Sequence, residues 1–226
     1  MSLSTYSDIK TSVANYLNRS DLTSTIPDFI ALTENRLDRE LRARVNMVRV
    51  QTTTAADTAF YDLPSDLIEL RNVTYETSNS NSHALSYLSP ESGSREYGTT
   101  GSGAPRAYTN LGKNIEIFPT PDGAYTLGLN YFKKLVPLSD SVTTNDILAA
   151  FPDLYLFGSC LEGAIYLNDS EQTARFMQIY KGALTEAKAA EDAARYDAIL
   201  AERTAAFQAK SEAAKRGIEE KKSKDE

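Results

Sequence analysis

Apolar side chains recur every three or four positions at the start of the chain. Tyr6, Ile9, Val13, Tyr16 and Leu17 fall on one side of a predicted helix, behind a Ser4/Thr5 cap. The polar run from Asn18 to Asp21 ends it. A second helix is predicted from Pro27, whose missing N–H costs nothing in a first turn, with Asp28 beside the positive helix end. It is expected to run to about Val45. Its buried stripe is Phe29, Ile30, Thr33, Leu37 and Leu41, and its other face carries Asp38 with Arg42 and Glu40 with Arg44, each pair four apart.

Past Asn46 the period falls to two. Val48 to Thr52 alternates, Phe60 to Leu63 stops at Pro64, and Leu70 to Tyr75 is β-branched and aromatic. Ser78 to Ser82 and the glycine-rich Tyr97 to Pro105 read as loops. Ile115 to Phe118, a turn over Pro119 to Gly123, and Tyr125 to Phe132 read as a hairpin. Five to seven short strands are expected in all.

Helical pattern returns at Phe151-Pro152-Asp153, a second proline-headed start. Leu154, Phe157, Leu161 and Ile165 lie on one side of this helix and Leu156, Cys160 and Leu167 on another, so it should be the central buried one. Gly158, Ser159, Gly163 and Ala164 give it a small-residue flank that admits a neighbouring helix closely, from the same chain or from the next subunit. After an Asn168-Asp169-Ser170 cap, a last helix carries the stripe Phe176, Tyr180, Ala183, Leu184 and Ala187. Alanine and charge then dominate to about Arg216. If continuous, ~45 residues at ~1.5 Å each reach ~70 Å, longer than a domain this size is wide. Part of it should project or be disordered.

The class is therefore α+β. Residues 1–45 and 146–190 are expected to build a helical bundle from both chain ends, residues 46–145 an inserted small antiparallel β-sandwich or open barrel, and residues 191–226 an arm. In that arm Ala193, Ala194, Ile199, Leu200, Ala205, Ala206 and Phe207 are too sparse for a core of their own. It reads either as a docking arm or as a frayed exposed helix ending in the charged 221–226 tail.

Composition narrows the chemistry. The chain has 226 residues, of which 41% are hydrophobic, enough for a real core. No apolar run approaches the ~20 residues of a membrane span, and Met1 to Ser4 lacks the pattern of a secretory signal, so cytosolic synthesis is expected. A net charge of −7 argues against tight gripping of nucleic acid, which needs clustered cations. An acidic surface repels DNA and lets it slide past. The single cysteine, Cys160, excludes an internal disulfide and a cysteine-based zinc site and reads as a buried packing residue.

No constellation of catalytic residues stands out. His83 is the lone histidine, expected as an exposed loop imidazole, and no serine has a glycine-elbow setting. Gly98 to Gly103 has the glycines of a phosphate loop without the Lys-Ser/Thr that follows one, and Pro105 bars a helix start there. It reads as a mobile loop, with partner contact as a second role. Asp140 to Asp146 lacks calcium-loop spacing and reads as a polar connector. Asp62, Asp66 and Glu69 sit at a strand-turn-strand corner where turn capping is the simpler account. No metal or cofactor is expected.

Several segments together resemble one family. They are Leu17-Asn18-Arg19-Ser20-Asp21-Leu22, Ile26-Pro27-Asp28-Phe29-Ile30, Glu34-Asn35-Arg36-Leu37, Leu63 through Leu70, Gly103-Ala104-Pro105, Tyr125 through Tyr131, and Phe151 through Gly158. In this order and spacing, over about residues 5 to 190, the chain resembles the head-to-tail adaptor proteins of tailed bacteriophages. The resemblance implies a non-enzymatic virion neck component, made in the host cytoplasm, that forms a ring of twelve copies. That ring docks under the portal protein, receives the tail or nozzle protein, and lines the passage of double-stranded DNA, with no membrane involved. It further implies subunit packing through the helical part (Gly158, Ser159, Gly163, Ala164) and a portal-contact arm (Ile199, Leu200, Arg203, Phe207, Lys210, Lys215, Arg216). A tail-contact loop would be Thr99, Thr100, Gly101 and Ser102. The alternatives are a hydrolase with a carboxylate site in the sheet part, or a soluble assembly scaffold.

Overall fold

Six helices and ten short strands order the described residues, with a helical core and a sheet core that share no residue. The structure, a computed structural model, describes the backbone of residues 3–41, 43–76, 82–98 and 101–222, and their side chains except 45, 195, 198, 199, 202, 203 and 205–222.

α1 (Tyr6–Tyr16) begins in a capping box: Asp8 N–H donates to Thr5 Oγ1 at 3.2 Å and Thr5 N–H to Asp8 Oδ2 at 3.1 Å. α2 (Ile26–Glu40) buries Phe29, Ile30, Thr33 and Leu37, the stripe its spacing predicts, with Leu41 buried just beyond. It stops short of the expected Val45, because the backbone becomes extended at Leu41, and Arg44–Asn46 form a single 3-10 turn. Of the two ion pairs expected on its other face, the one between Glu40 and Arg44 does not form, and the one between Asp38 and Arg42 lies outside the described residues. Asp38 accepts the Leu135 N–H, and Arg44 reaches the last helix.

Two four-stranded sheets face one core. One has the order β1 (Met47–Thr53), β10 (Thr126–Lys133), β3 (Leu67–Glu76), β4 (Ser82–Ala84), and the other β2 (Phe60–Asp62), β8 (Asn114–Phe118), β7 (Ala107–Leu111), β5 (Ser86–Tyr87). Val73, Leu127, Leu129 and Tyr131 from the first sheet meet Tyr108, Ile115 and Ile117 from the second. The expected hairpin of residues 115–118 with 125–132 therefore does not form. β8 pairs with β2 and β7, and β10 with β1 and β3. Both strands carry apolar faces that close the core from opposite sides. Between them Pro119 and Pro121 lack ladder donors, and β9 (Thr120–Pro121) pairs in parallel with β6 (Ser102–Gly103).

A short helix not anticipated from sequence, α3 (Pro90–Tyr97), lies over β7 and β8. Ser89 caps it, and Gly93 lies so close to Phe118 that a Cβ there would meet the ring at 2.4 Å. The expected loop imidazole of His83 is instead in β4, stacked on Tyr75 with ring centroids 5.1 Å apart.

The chain returns through residues 134–145 to α4 (Asp146–Ala150), α5 (Pro152–Tyr166) and α6 (Ser170–Lys222). α5 is the central helix, packed on α1, α2, α4 and α6. Its last turn emerges, so Ile165, expected in the core, is exposed beside Tyr166. Asp169 caps α6 by accepting the Gln172 N–H at 3.0 Å. No helix among the described residues is long and apolar enough to cross a membrane.

Candidate interaction surfaces

The returning connector is latched to α2 by two carboxylates. Glu34 is 6% exposed, and its Oε1 accepts the Leu138 N–H at 2.8 Å and the Tyr155 hydroxyl at 3.2 Å. One turn on, Asp38 Oδ1 accepts the Leu135 N–H at 2.9 Å. Asn145 ties the far end: its amide donates to Tyr155 Oη at 2.7 Å and to the Val136 carbonyl at 2.9 Å, while its Oδ1 caps α4 through Leu148 N–H. Burial pushes the Glu34 carboxyl above the ordinary glutamate value, outweighing the hydrogen bonds from Leu138 and Tyr155 that favour its charged form. Burial, with Glu34 beside it, pushes the Tyr155 phenol up as well. On the sheet side, Tyr131 donates to Asp66 Oδ1 at 2.9 Å and Lys134 N–H to the Asp66 carbonyl at 2.7 Å, so the strand leaving the sheet is also held. These polar contacts fix the connector at its helical end and its sheet end.

α6 is anchored over its first five turns. Phe176, Tyr180, Leu184 and Ala187 are buried, and Tyr180 Oη donates to Glu40 at 3.3 Å. Arg36, paired with Glu162 of α5, lies over the Tyr180 ring. Further along, Arg44 reaches α6: its N–H donates to Glu191 Oε2 at 2.6 Å and its Nη1 to the Ala194 carbonyl at 2.9 Å. Beyond Ala194 the helix continues to Lys222. Tyr196 is 63% exposed and Leu200 43% exposed, one helical turn apart. Of the sequence-predicted arm residues, Leu200 is thus on an open face. The side chains of Ile199, Arg203, Phe207, Lys210, Lys215 and Arg216 lie outside the described residues.

The small-residue flank of α5 is used inside the chain. A Cβ on Gly158 would meet Thr33 Cγ2 of α2 at 2.4 Å, and one on Gly163 would meet Leu17 Cδ1 at 2.5 Å. Ser159 and Ala164 are fully buried, with Ser159 Oγ 3.4 Å from Thr33 Oγ1. Of the two neighbours the sequence allowed, the same chain fills the space. That leaves no surface there for a second subunit.

Of the predicted tail-contact loop, Thr99 and Thr100 lie outside the described residues. Gly101 accepts the Thr120 N–H through its carbonyl at 3.1 Å and sits against Tyr97 O, where a Cβ would come to 2.4 Å. Ser102 opens β6 and is exposed. At the other end of the sheets, a cleft of about 670 Å³ runs between the Asp62 to Leu67 corner and the Gly112-Lys113 turn, with Lys134 on its rim. Asp66 there is held by Tyr131, and Glu69 lies on β3. Among the described residues no three His, Cys, Asp or Glu side chains are grouped to hold a metal ion.

Sequence reasoning missed the Glu34 and Asp38 latch. Its only sequence signal is a glutamate inside the apolar stripe of α2, between Thr33 and Leu37.

Against known families, the model of the SU10 adaptor protein family matches residues 4–206, so the match takes in both cores and the first part of the arm. No curated protein matches the chain.

Proposed function

Because the chain belongs to the SU10 adaptor protein family, a phage head-tail adaptor family, we propose that it closes a ring beneath the portal and joins the portal to the tail or nozzle. On this reading its work is structural: it sits in the virion neck, twelve copies surround the DNA passage, and function resides in shape and mating surfaces. The observation that carries the reading is α6. Past the Arg44 contact at Ala194 it runs on as helix to Lys222, ~40 Å further at ~1.5 Å per residue, with Tyr196 and Leu200 exposed. A free monomer gains nothing from such a projection. A subunit that must reach a second ring does.

In this arrangement the latched connector holds the sheets at a set angle to the bundle, so the sheet part presents one face to the tail while the arm reaches the portal. The net charge of −7 suits a conduit that must not hold DNA. Ending the chain after Ala194 tests the arm, because this cut keeps both contacts of Arg44 with α6. The truncated chain is expected to unfold within a few degrees of the full chain and to lose at least ~10-fold in portal capture, the equivalent of ~1.4 kcal/mol. Full portal capture by the truncated chain would remove the arm from the account.

A further inference from the structure

The outermost strand of the first sheet, β1, has a free side whose chemistry follows from one hydrogen bond. Thr54 N–H donates to the Tyr125 carbonyl at 2.9 Å, and the β1–β10 register runs without a shift from Met47 opposite Phe132 to Thr53 opposite Thr126. Backbone groups alternate sides along a strand, so Val48, Val50 and Thr52 point, like Thr54, at β10. The N–H and C=O groups of Arg49, Gln51 and Thr53 and the Met47 carbonyl point the other way, while the Met47 N–H is taken by the Arg44 carbonyl. No strand lies there among the described residues.

Edge strands are ordinarily blunted by proline, a bulge, short length or an outward charge. β1 uses none of these. It has seven residues, no proline and no bulge. Its one charge lies across the sheet face and not off the edge: Arg49 Nη2 donates to Glu76 at 2.6 Å, joined there by Gln51 Nε2 at 3.2 Å, and its guanidinium lies over Gly128, where a Cβ would meet it at 3.1 Å. The core-facing side is open as well. Val50 stands opposite Leu129, which is 2% exposed, yet Val50 itself is 39% exposed, and Val48 is only half-buried.

We propose that β1 is a receptor strand, to which a tail-side partner adds an extended segment as the next strand of the sheet. This rests on the adaptor reading above and specifies how the tail is held. The segment is uncharged, with apolar side chains at alternate positions that cover Val48 and Val50. Charge complementarity sets this choice, since Glu76 neutralises Arg49 and the edge carries no net charge for an ionic partner to answer. A second copy of the chain fits poorly. Among the described residues its other sheet edges, β2, β4, β5, β6 and β9, have three, three, two, two and two residues. Pairing β1 with itself is isologous and closes a dimer, not a ring.

Residue-resolved amide exchange tests this on three samples: the free full chain, a portal–adaptor assembly without tail, and the tail-bearing neck from mature particles. The amides of Arg49, Gln51 and Thr53 are expected to slow by ~100-fold or more only in the tail-bearing neck. Those of Val48, Val50 and Thr52 should be protected in all three. Fast exchange at Arg49, Gln51 and Thr53 in the tail-bearing neck overturns the proposal, as does protection already complete in the tailless assembly. Absence of the chain from the neck is a separate result, and it ends the adaptor reading itself. Val50→Lys places a charge on the open side that the added strand would cover, without touching the ladder to β10. It should cut tail attachment at least tenfold with the unfolding temperature kept, and unchanged attachment overturns the proposal.

Discussion

Thr33 and Leu17 meet the two glycines of α5 at nearly the same distance, yet the two sites should respond differently to a methyl group. Thr33 is β-branched and stiff in its helix, so at Gly158 the clash with Cγ2 has no cheap release. Leu17 presents the far end of a flexible side chain to Gly163. Gly158→Ala is expected to destabilise by a net ~1–2 kcal/mol after the gain in helix propensity, and Gly163→Ala to be near neutral. Thermal unfolding of the two variants compares them directly, and equal effects would contradict the packing described. Cys160 is fully buried, and burial pushes its thiol up to about 12. Its reaction with an aromatic disulfide reagent at mildly alkaline pH should be at least ~100-fold slower in the native chain than in denaturant. Its Leu and Gly neighbours made that burial legible in the sequence. Glu34 was legible only as a carboxylate in an apolar stripe, which gives no sign of the distant N–H groups it will accept.

Glu34 also sets a pH dependence. Its folded value is raised, so the native state binds its proton more tightly than the unfolded chain does. The stability this contributes is fully present below the ordinary glutamate value and is lost as pH rises through the folded value. Glu34→Gln keeps an acceptor for Leu138 N–H and the Tyr155 hydroxyl without the buried charge. The variant should therefore gain on the natural chain as pH rises from acid to neutral, measured as the difference in unfolding temperature at each pH. A difference that stays flat across that range would contradict the burial cost assigned to the carboxylate.

At the scale of elements, what could be read from the sequence is what local physics decides. Pro27 and Pro152 sit in first helical turns, and the three-and-four spacing of Phe29, Ile30, Thr33 and Leu37 marks the buried side of α2. What could not be read depends on distant partners. Between Pro90 and Tyr97 the residues of α3 are serine, glycine and charge with no apolar stripe; only Ser89-Pro90 signalled it, as a cap followed by a first-turn proline. The turn at Pro119 to Gly123 looks like that of a hairpin, and only the closing of a core from two sides shows that β8 and β10 part company. α2 ends at Glu40, where the chain turns extended, and just beyond it Arg44 meets Glu191 of α6, almost 150 residues away in sequence. The edge of β1 belongs here too. Alternation predicted the strand, and register alone shows which of its backbone groups are left over.

For the whole molecule, two cores joined by a latched connector and extended by one long helix make a part that is rigid where it is folded and open at its two ends. Such a part has few uses alone. The family match supplies the setting, and the exposed Tyr196 and Leu200 and the unpaired side of β1 supply two places at which neighbours can be met. Gly158, Ser159, Gly163 and Ala164 are consumed inside the subunit, so the ring proposed above would have to close through other surfaces. A density map of the neck of the mature particle, at a resolution that traces side chains, tests the central claim most directly. The account predicts a ring of this chain between portal and tail, with the helix beyond Ala194 seated on the portal and the sheets turned toward the tail. A neck without this chain, or a ring whose long helices touch nothing of the portal, would contradict it.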